Sequence, residues 1–173
     1  MKAGAGHAGF DFTKLDASGD DLPASATSWN CVRDNVTGLV WEVKTDDGGL
    51  HDKDNLYTWY STDSSNNAGD AGTENGGANT QAFVDSVNAA GWCGANDWRL
   101  PSRRELRSIA NLSRNNPAID ADYFPNTRNS YYWSSSPHAV FSNQAWGIDF
   151  GAGGDFGDYK SADYSVRLVR GGL

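Results

Sequence analysis

Hydrophobic positions change their spacing twice along this chain, and each change marks a change of element. Behind a Thr37-Gly38 turn, Leu39, Trp41 and Val43 recur at every second position, which predicts a half-buried strand. Further on the period lengthens: Phe83, Val84 and Val87 share one helical face and Gly91 follows, so a first helix is expected over Thr80 to Ala90. Ser102 stands three residues before Glu105, the spacing at which each side chain satisfies a backbone N–H left free at a helix start. A second helix is therefore expected from there to about Leu112, with Leu106, Ile109 and Ala110 as its apolar stripe and Arg103, Arg104 and Arg107 off it. Pro101 keeps Leu100 extended ahead of that helix. From Tyr131 onward the period returns to two, in Tyr131-Tyr132-Trp133-Ser134-Ser135, in Trp146, Ile148 and Phe150, and in Tyr164, Val166 and Leu168. Gly151-Ala152-Gly153-Gly154 reads as a hairpin turn among them.

Two stretches lack any period. Residues 1–28 read as an irregular arm with Phe10, Phe12 and Leu15 as anchors, ahead of a domain over 29–173. The literal G-x-G-x-x-G of Gly4 to Gly9 has no strand before it and no helix after it, so it predicts no nucleotide site. Residues 45–79 form a long polar region broken only by Tyr57-Thr58-Trp59-Tyr60. The layout is α+β and loop-rich, with two central helices packed on antiparallel sheets drawn from both ends.

Composition narrows the partners. The 173 residues carry 14 basic and 22 acidic side chains, a net charge of -8, and a chain this acidic does not neutralise a nucleic acid backbone. Anionic polysaccharides are disfavoured for the same reason, although basic residues gather between Arg99 and Arg128. Seven Trp, seven Tyr and 20 Gly beside a single Met match the make-up of recognition surfaces, where rigid rings supply contact area and small residues adapt their hydrogen bonds. No apolar run is long enough to cross a membrane, and no apolar signal segment follows Met1-Lys2. Arg99, between Trp98 and Leu100, is expected to be partly buried and to need Asp97, Asp149 or Glu105 as its partner.

Cys31 and Cys93 fit one disulfide better than a metal site, because there is no C-x-x-C and no neighbouring histidine pair. Such a bond closes a loop of roughly 60 residues, worth about 4 kcal/mol in the chain-entropy model, and places the chain in an oxidising compartment. Two buried free thiols are the alternative. Asp46, Asp47, Asp52, Asp54, Asp63 and Asp70 are candidate oxygen ligands for a structural calcium ion; a merely solvated acidic loop is the competing reading, since EF-hand spacing is missing. His7, His51 and His138 are scattered, and no serine or cysteine nucleophile has a base nearby in sequence, so no enzyme is expected.

Trp29-Asn30-Cys31-Val32-Arg33-Asp34, Thr37-Gly38-Leu39-Val40-Trp41-Glu42, Cys93-Gly94 with Asp97-Trp98-Arg99-Leu100-Pro101, Tyr123-Phe124-Pro125, Tyr132-Trp133-Ser134-Ser135 and Val166-Arg167-Leu168-Val169-Arg170 form an ordered set. Over about residues 29–170 it resembles the family named for the C-terminal domain of the Legionella collagen-like adhesin. The resemblance implies a C-type-lectin-like fold of the formylglycine-generating-enzyme variety and a bacterial surface or secreted setting. Residues 70–80 lack the extra cysteines that members often carry there, and the charge of -8 argues against carrying over a glycosaminoglycan ligand. The carboxyl-terminal part also resembles proteins diversified by retroelements, which end this fold in a variable region rich in Asn, Tyr, Ser, Asp and Gly. In that picture Trp133, Trp146, Ile148 and Phe150 point inward as a frame, with Trp146 equally eligible for the surface.

These readings place ligand binding after Ser135. The candidates are Tyr132, His138, Phe141, Asn143 and Trp146, followed by Asp155, Phe156, Asp158, Tyr159, Asp163 and Tyr164. The expected function is a non-enzymatic, extracellular or cell-surface domain, adhesin-like or receptor-binding, that takes a glycan or protein on another cell. An oligomerising interaction domain without carbohydrate is the alternative, and a formylglycine-generating-type enzyme, which would need free cysteines, is the third.

Overall fold

The structure is a computed structural model that describes Gly4 and residues 6–172. Nine regular elements follow one another: β1 (Phe12–Leu15), β2 (Cys31–Asp34), β3 (Leu39–Glu42), α1 (Thr80–Ala90), α2 (Arg103–Ser108), β4 (Tyr131–Pro137), β5 (Gln144–Asp149), β6 (Gly154–Tyr159) and β7 (Val169–Gly171). They make two antiparallel sheets, one in the order β1-β2-β3-β7 and one a β4-β5-β6 meander. The mixed architecture with two antiparallel sheets and few helices is therefore as expected.

Local chemistry sets the helix ends. Asn79 caps α1 by accepting the Ala82 N–H at 2.9 Å, and Gly91 closes it in the left-handed region at φ 66°. Ser102 and Glu105 form the reciprocal capping box that opens α2. That helix stops at Ser108, short of Leu112, because the chain turns to pair elsewhere: Asn111 donates its N–H to the Ala118 carbonyl and accepts the Ser113 N–H on its side chain.

The first 28 residues are not irregular throughout. Phe12–Leu15 is a strand that pairs with all of β2, and Phe10, Phe12 and Leu15 are buried in the core. The anchors named from sequence thus hold an edge strand rather than a loose arm. Strand β3 is covered on both faces, Leu39 and Trp41 joining one apolar cluster and Val40 the other, so it is fully rather than half buried. β6, Gly-Asp-Phe-Gly-Asp-Tyr, has no hydrophobic alternation and is a strand by pairing with β5 along its whole length. Residues 164–168, whose period of two predicts a strand, form no ladder; they wedge between the sheets, touching Tyr57, Tyr131, Trp133 and Glu42 in turn.

A disulfide joins Cys31 on β2 to Cys93 just beyond α1, and no cysteine is free. Beside it lies a buried ionic cluster. The Glu42 carboxylate accepts Lys44 Nζ at 3.0 Å, His51 Nδ1 at 2.8 Å and the Leu168 N–H at 2.9 Å, while the Glu42 carbonyl accepts Arg167 Nη1 at 2.7 Å. Burial alone would raise the Glu42 carboxyl, but the Lys44 ammonium, the His51 ring and the Leu168 N–H hold it down to about 2.

Because the folded value lies below that of a free glutamate, this carboxylate adds stability above about pH 4.5 that drains away as pH falls toward 2. Denaturant titrations at pH 6 and pH 3 should show that loss. Glu42→Gln should cost about 3–5 kcal/mol at pH 6, by stranding Lys44 and Arg167, and should flatten the acid dependence. A variant as stable as the parent at pH 6 would refute this role.

Candidate ligand-binding surface

The β4–β5 connection is folded by its own histidine. His138 donates its N–H to the Gln144 carbonyl, and its Nδ1 accepts the N–H groups of Val140 and Phe141, each at 3.2 Å. Accepting at Nδ1 leaves the proton of the neutral ring on Nε2. The ring stacks on Trp146 with centroids 4.9 Å apart, and the Arg103 guanidinium lies 4.5 Å from the same indole. Trp146 is thus a half-exposed surface residue and not part of the inward frame: the His138 ring and the Arg103 side chain at the start of α2 cover it in place of the core. Val140, Phe141 and Tyr159 stand 78%, 53% and 55% exposed at this end of the sheet. Asn143 is exposed here too and accepts the Lys160 N–H on its carbonyl. His138, Phe141, Asn143, Trp146 and Tyr159 are therefore gathered at one tip, together with Val140, which sequence reasoning passed over as an ordinary aliphatic residue.

The remaining candidates lie apart. Phe156 packs among Tyr131, Tyr164 and Trp133 at 4.5, 5.2 and 5.8 Å, in space left by Gly147, where a Cβ would come 2.3 Å from its ring. Tyr164 donates to Asp158 at 2.5 Å, and burial together with that carboxylate pushes its hydroxyl up to about 12. Asp155 is paired with Arg107 at 2.7 Å, and Asp163 is exposed. Tyr132 is not on the surface at all. It is wholly buried among Leu106, Ile109 and Trp41, and its hydroxyl accepts the Arg128 N–H. Its neighbour Tyr131 is the exposed one, whereas Trp133 on the other side is as buried as Tyr132, because the middle of β4 is covered on both faces.

The six aspartates proposed for calcium are dispersed. Asp52 is buried and binds the N–H groups of Asp47, Gly48 and Asp54; Asp47, Asp63 and Asp70 accept the N–H groups of Gly49, Ser65 and Gly72. Asp46 and Asp54 pair with Lys53. Among the described residues no three His, Cys, Asp or Glu side chains converge as a metal site would need. Turn capping uses the oxygens that an ion would have taken. Arg99 is partly buried as expected, its side chain 44% exposed, and of the three carboxylates named for it Glu105 is the one that holds it, at 2.7 Å. Asp97 instead binds Arg170.

The family model described as the Lcl C-terminal domain matches residues 30–170. The chain belongs to that family. Comparison with curated proteins and with solved structures finds no significant match. In this Lcl C-terminal domain the matched span takes in the Glu42 cluster, the disulfide and the hairpin tip alike. No helix among the described residues is long and apolar enough to cross a membrane.

His138→Ala removes the acceptor for two backbone N–H groups and the stack on Trp146. Amides of Val140 and Phe141 should then exchange about tenfold faster, the equivalent of about 1.4 kcal/mol of lost local order, with little change in melting temperature. Unchanged exchange would mean that the loop is held by something other than His138.

Proposed function

We propose that this chain is a non-enzymatic, adhesin-like module on a C-type-lectin-like frame, acting outside the cytoplasm, that grips a protein on another cell surface with the β4–β5 hairpin tip. The observation that carries this reading is the exposure of Val140 and Phe141 on a loop already folded by His138. Interface hot spots are apolar or aromatic anchors that lose little freedom on binding, and a pre-ordered tip meets that condition. A glycan suits the tip less well: sugars need an open ring face with hydrogen-bonding groups around it, and Trp146 is flanked by His138 and Arg103. The Cys31–Cys93 disulfide supports an oxidising location. The same bond ties up both sulfurs, which speaks against formylglycine-generating chemistry.

A retroelement-diversified tip is the second reading, favoured by one partition: Trp133, Ile148 and Phe150 are buried, whereas Phe141, Asn143, Asp155 and Tyr159 stand exposed and replaceable. A near-copy of the segment encoding residues 131–170 beside a reverse transcriptase would establish it, and a genome without one would remove it.

Fluorescent protein titrated onto mammalian and bacterial cells tests the main reading. Val140→Ser with Phe141→Ala should weaken binding at least about tenfold, since each anchor is worth upward of 1 kcal/mol, and protease treatment of the cells should abolish it. Binding that survives protease, or that ignores the double substitution, would overturn the proposal. If copies of the chain meet at this tip instead, the substitutions will lower the mass seen by light scattering.

A further inference from the structure

Three clefts of similar size follow one another along the molecule; Val140 and Phe141 line none of them, although the third reaches Ala139 and Trp146 at the base of the hairpin tip. The first, about 360 Å3, opens between Glu74 and the start of α1 and ends at Tyr60 and Gln81. The second, about 350 Å3, begins at the same two residues and runs past Leu100 to Ser102 and Ser135. The third, about 310 Å3, starts at Ser102 and finishes at Trp146. The first two share Tyr60 and Gln81 and the last two share Ser102, so together they form an interrupted groove with an aromatic residue where its first two parts meet.

Tyr60 is built as a platform. Its N–H donates to Thr80 Oγ1 at 3.0 Å, and the Thr80 hydroxyl donates back to its carbonyl at 2.9 Å. On the other side it bridges to Gly72, whose φ of +88° and whose closeness to the Trp59 carbonyl, 2.2 Å from any added Cβ, leave room for glycine alone. Trp59 is buried and donates its indole N–H to the Ser134 carbonyl at 2.8 Å, so the segment is also fixed to β4. The Tyr60 ring is half-buried and stacks on no other ring among the described residues. A fixed backbone carrying an uncommitted ring loses little entropy when a ligand lies on it.

The walls decide what lies there. Beside Tyr60 the second cleft is lined by Ser61, Asn66, Gln81, Ser102 and Ser135, of which Gln81 also donates to Asp85 and Ser102 accepts the Glu105 N–H. Its charges do not sum to one sign: Glu74 and Asp85 stand at one end, Arg103 and Arg104 at the other, and between them lie Asp63 and an Arg99 closed by Glu105. A polyanion would meet the acidic end. An extended peptide would seek unpaired strand edge, and β4 has none on this side, since Ser135 donates to Pro101 at 2.7 Å and Trp133 to Ser165 at 3.0 Å. The Tyr60 ring with neutral hydrogen-bonding side chains beside it suits a pyranose chain. We infer that the groove binds a neutral, linear oligosaccharide, one sugar per cleft, with a ring stacked on Tyr60.

Affinity electrophoresis of the whole chain in gels containing xyloglucan, glucomannan or dextran tests this, with heparin gels in parallel. At least one neutral polysaccharide should retard the protein. Tyr60→Ala should weaken that interaction about tenfold or more and Gln81→Ala several-fold, whereas Tyr60→Phe should stay within about threefold of the parent. Phe141→Ala, which disables the hairpin tip, should leave retardation unchanged, so this groove and the protein-binding tip succeed or fail separately. Matching near-ultraviolet circular dichroism shows that each variant is folded; where Tyr60→Ala is not, Gln81→Ala carries the test. No retardation by any neutral polysaccharide, retardation by heparin alone, or equal retardation of the folded Tyr60 and Gln81 variants would overturn the inference. Selection of random peptides by the groove in a Tyr60-dependent manner, without polysaccharide binding, would overturn it in favour of a peptide site.

Discussion

One buried carboxylate, that of Glu42, fixes how the two sheets meet. It sits on β3 of the four-stranded sheet, and the Leu168 N–H that it accepts belongs to the wedge from which β4 of the other sheet takes its pairing through Ser165. Glu42 also donates its own N–H to the Leu168 carbonyl at 3.1 Å. An unpaired charge at this depth would be expelled, so the Lys44 ammonium, the His51 ring and Arg167 are needed beside it. His51 in turn stacks 3.7 Å from Trp92, next to the Cys93 end of the disulfide. The cluster thereby reaches β2, β3, the end of α1 and the final wedge at once.

The same economy of polar contacts orders the long loops. Residues 45–79 contain too few apolar side chains to pack, yet lysine ammonium groups and aspartates tie them down. Lys160 is buried against the Trp59 ring and donates to the Asn67 and Asp70 carbonyls. Lys14 does likewise for the Ala24 and Ala26 carbonyls, under the Trp29 ring. Burial lowers the pKa of Lys160, the cost of holding a cation with carbonyls and with only Asp70 as a nearby opposing charge. Asp52 closes three backbone N–H groups by itself. In such a polar loop each turn brings its own acceptor for backbone N–H groups.

Much of the frame was legible because its signals are local. Signals at Ser102 and Gly91 act within four residues of the helices they end, and the period of two around Trp133 and Ile148 marks strands locally even though both faces there are covered. What escaped depends on partners far away in the chain. β1 is a strand because β2 pairs with it, and β6 because β5 does, despite its glycines and aspartates. Arg167 looked like the outward member of an alternating segment and is wholly buried, a consequence of Glu42 and Thr127, which lie 125 and 40 residues earlier. At the site, residue types were enough to nominate His138, Phe141 and Trp146, but only the fold shows that His138 shapes the loop and that Tyr132 is core. Tyr60 carried no motif at all; its importance comes from two clefts meeting at its ring.

A rigid frame presenting a small, exposed tip is how an adhesin-type domain separates stability from recognition, since side chains at the tip can change without disturbing the core. That separation holds only if the two sheets, clamped together at Glu42, open as one cooperative unit. Native-state amide hydrogen exchange in increasing denaturant measures this most directly. The amides of Glu42, Leu168, Trp133 and Ser165 should converge on a single opening free energy equal to that of global unfolding. If Trp133 and the rest of the three-stranded sheet instead open at a distinctly lower free energy than Glu42, the sheets are independent and the clamp at Glu42 does not unite them.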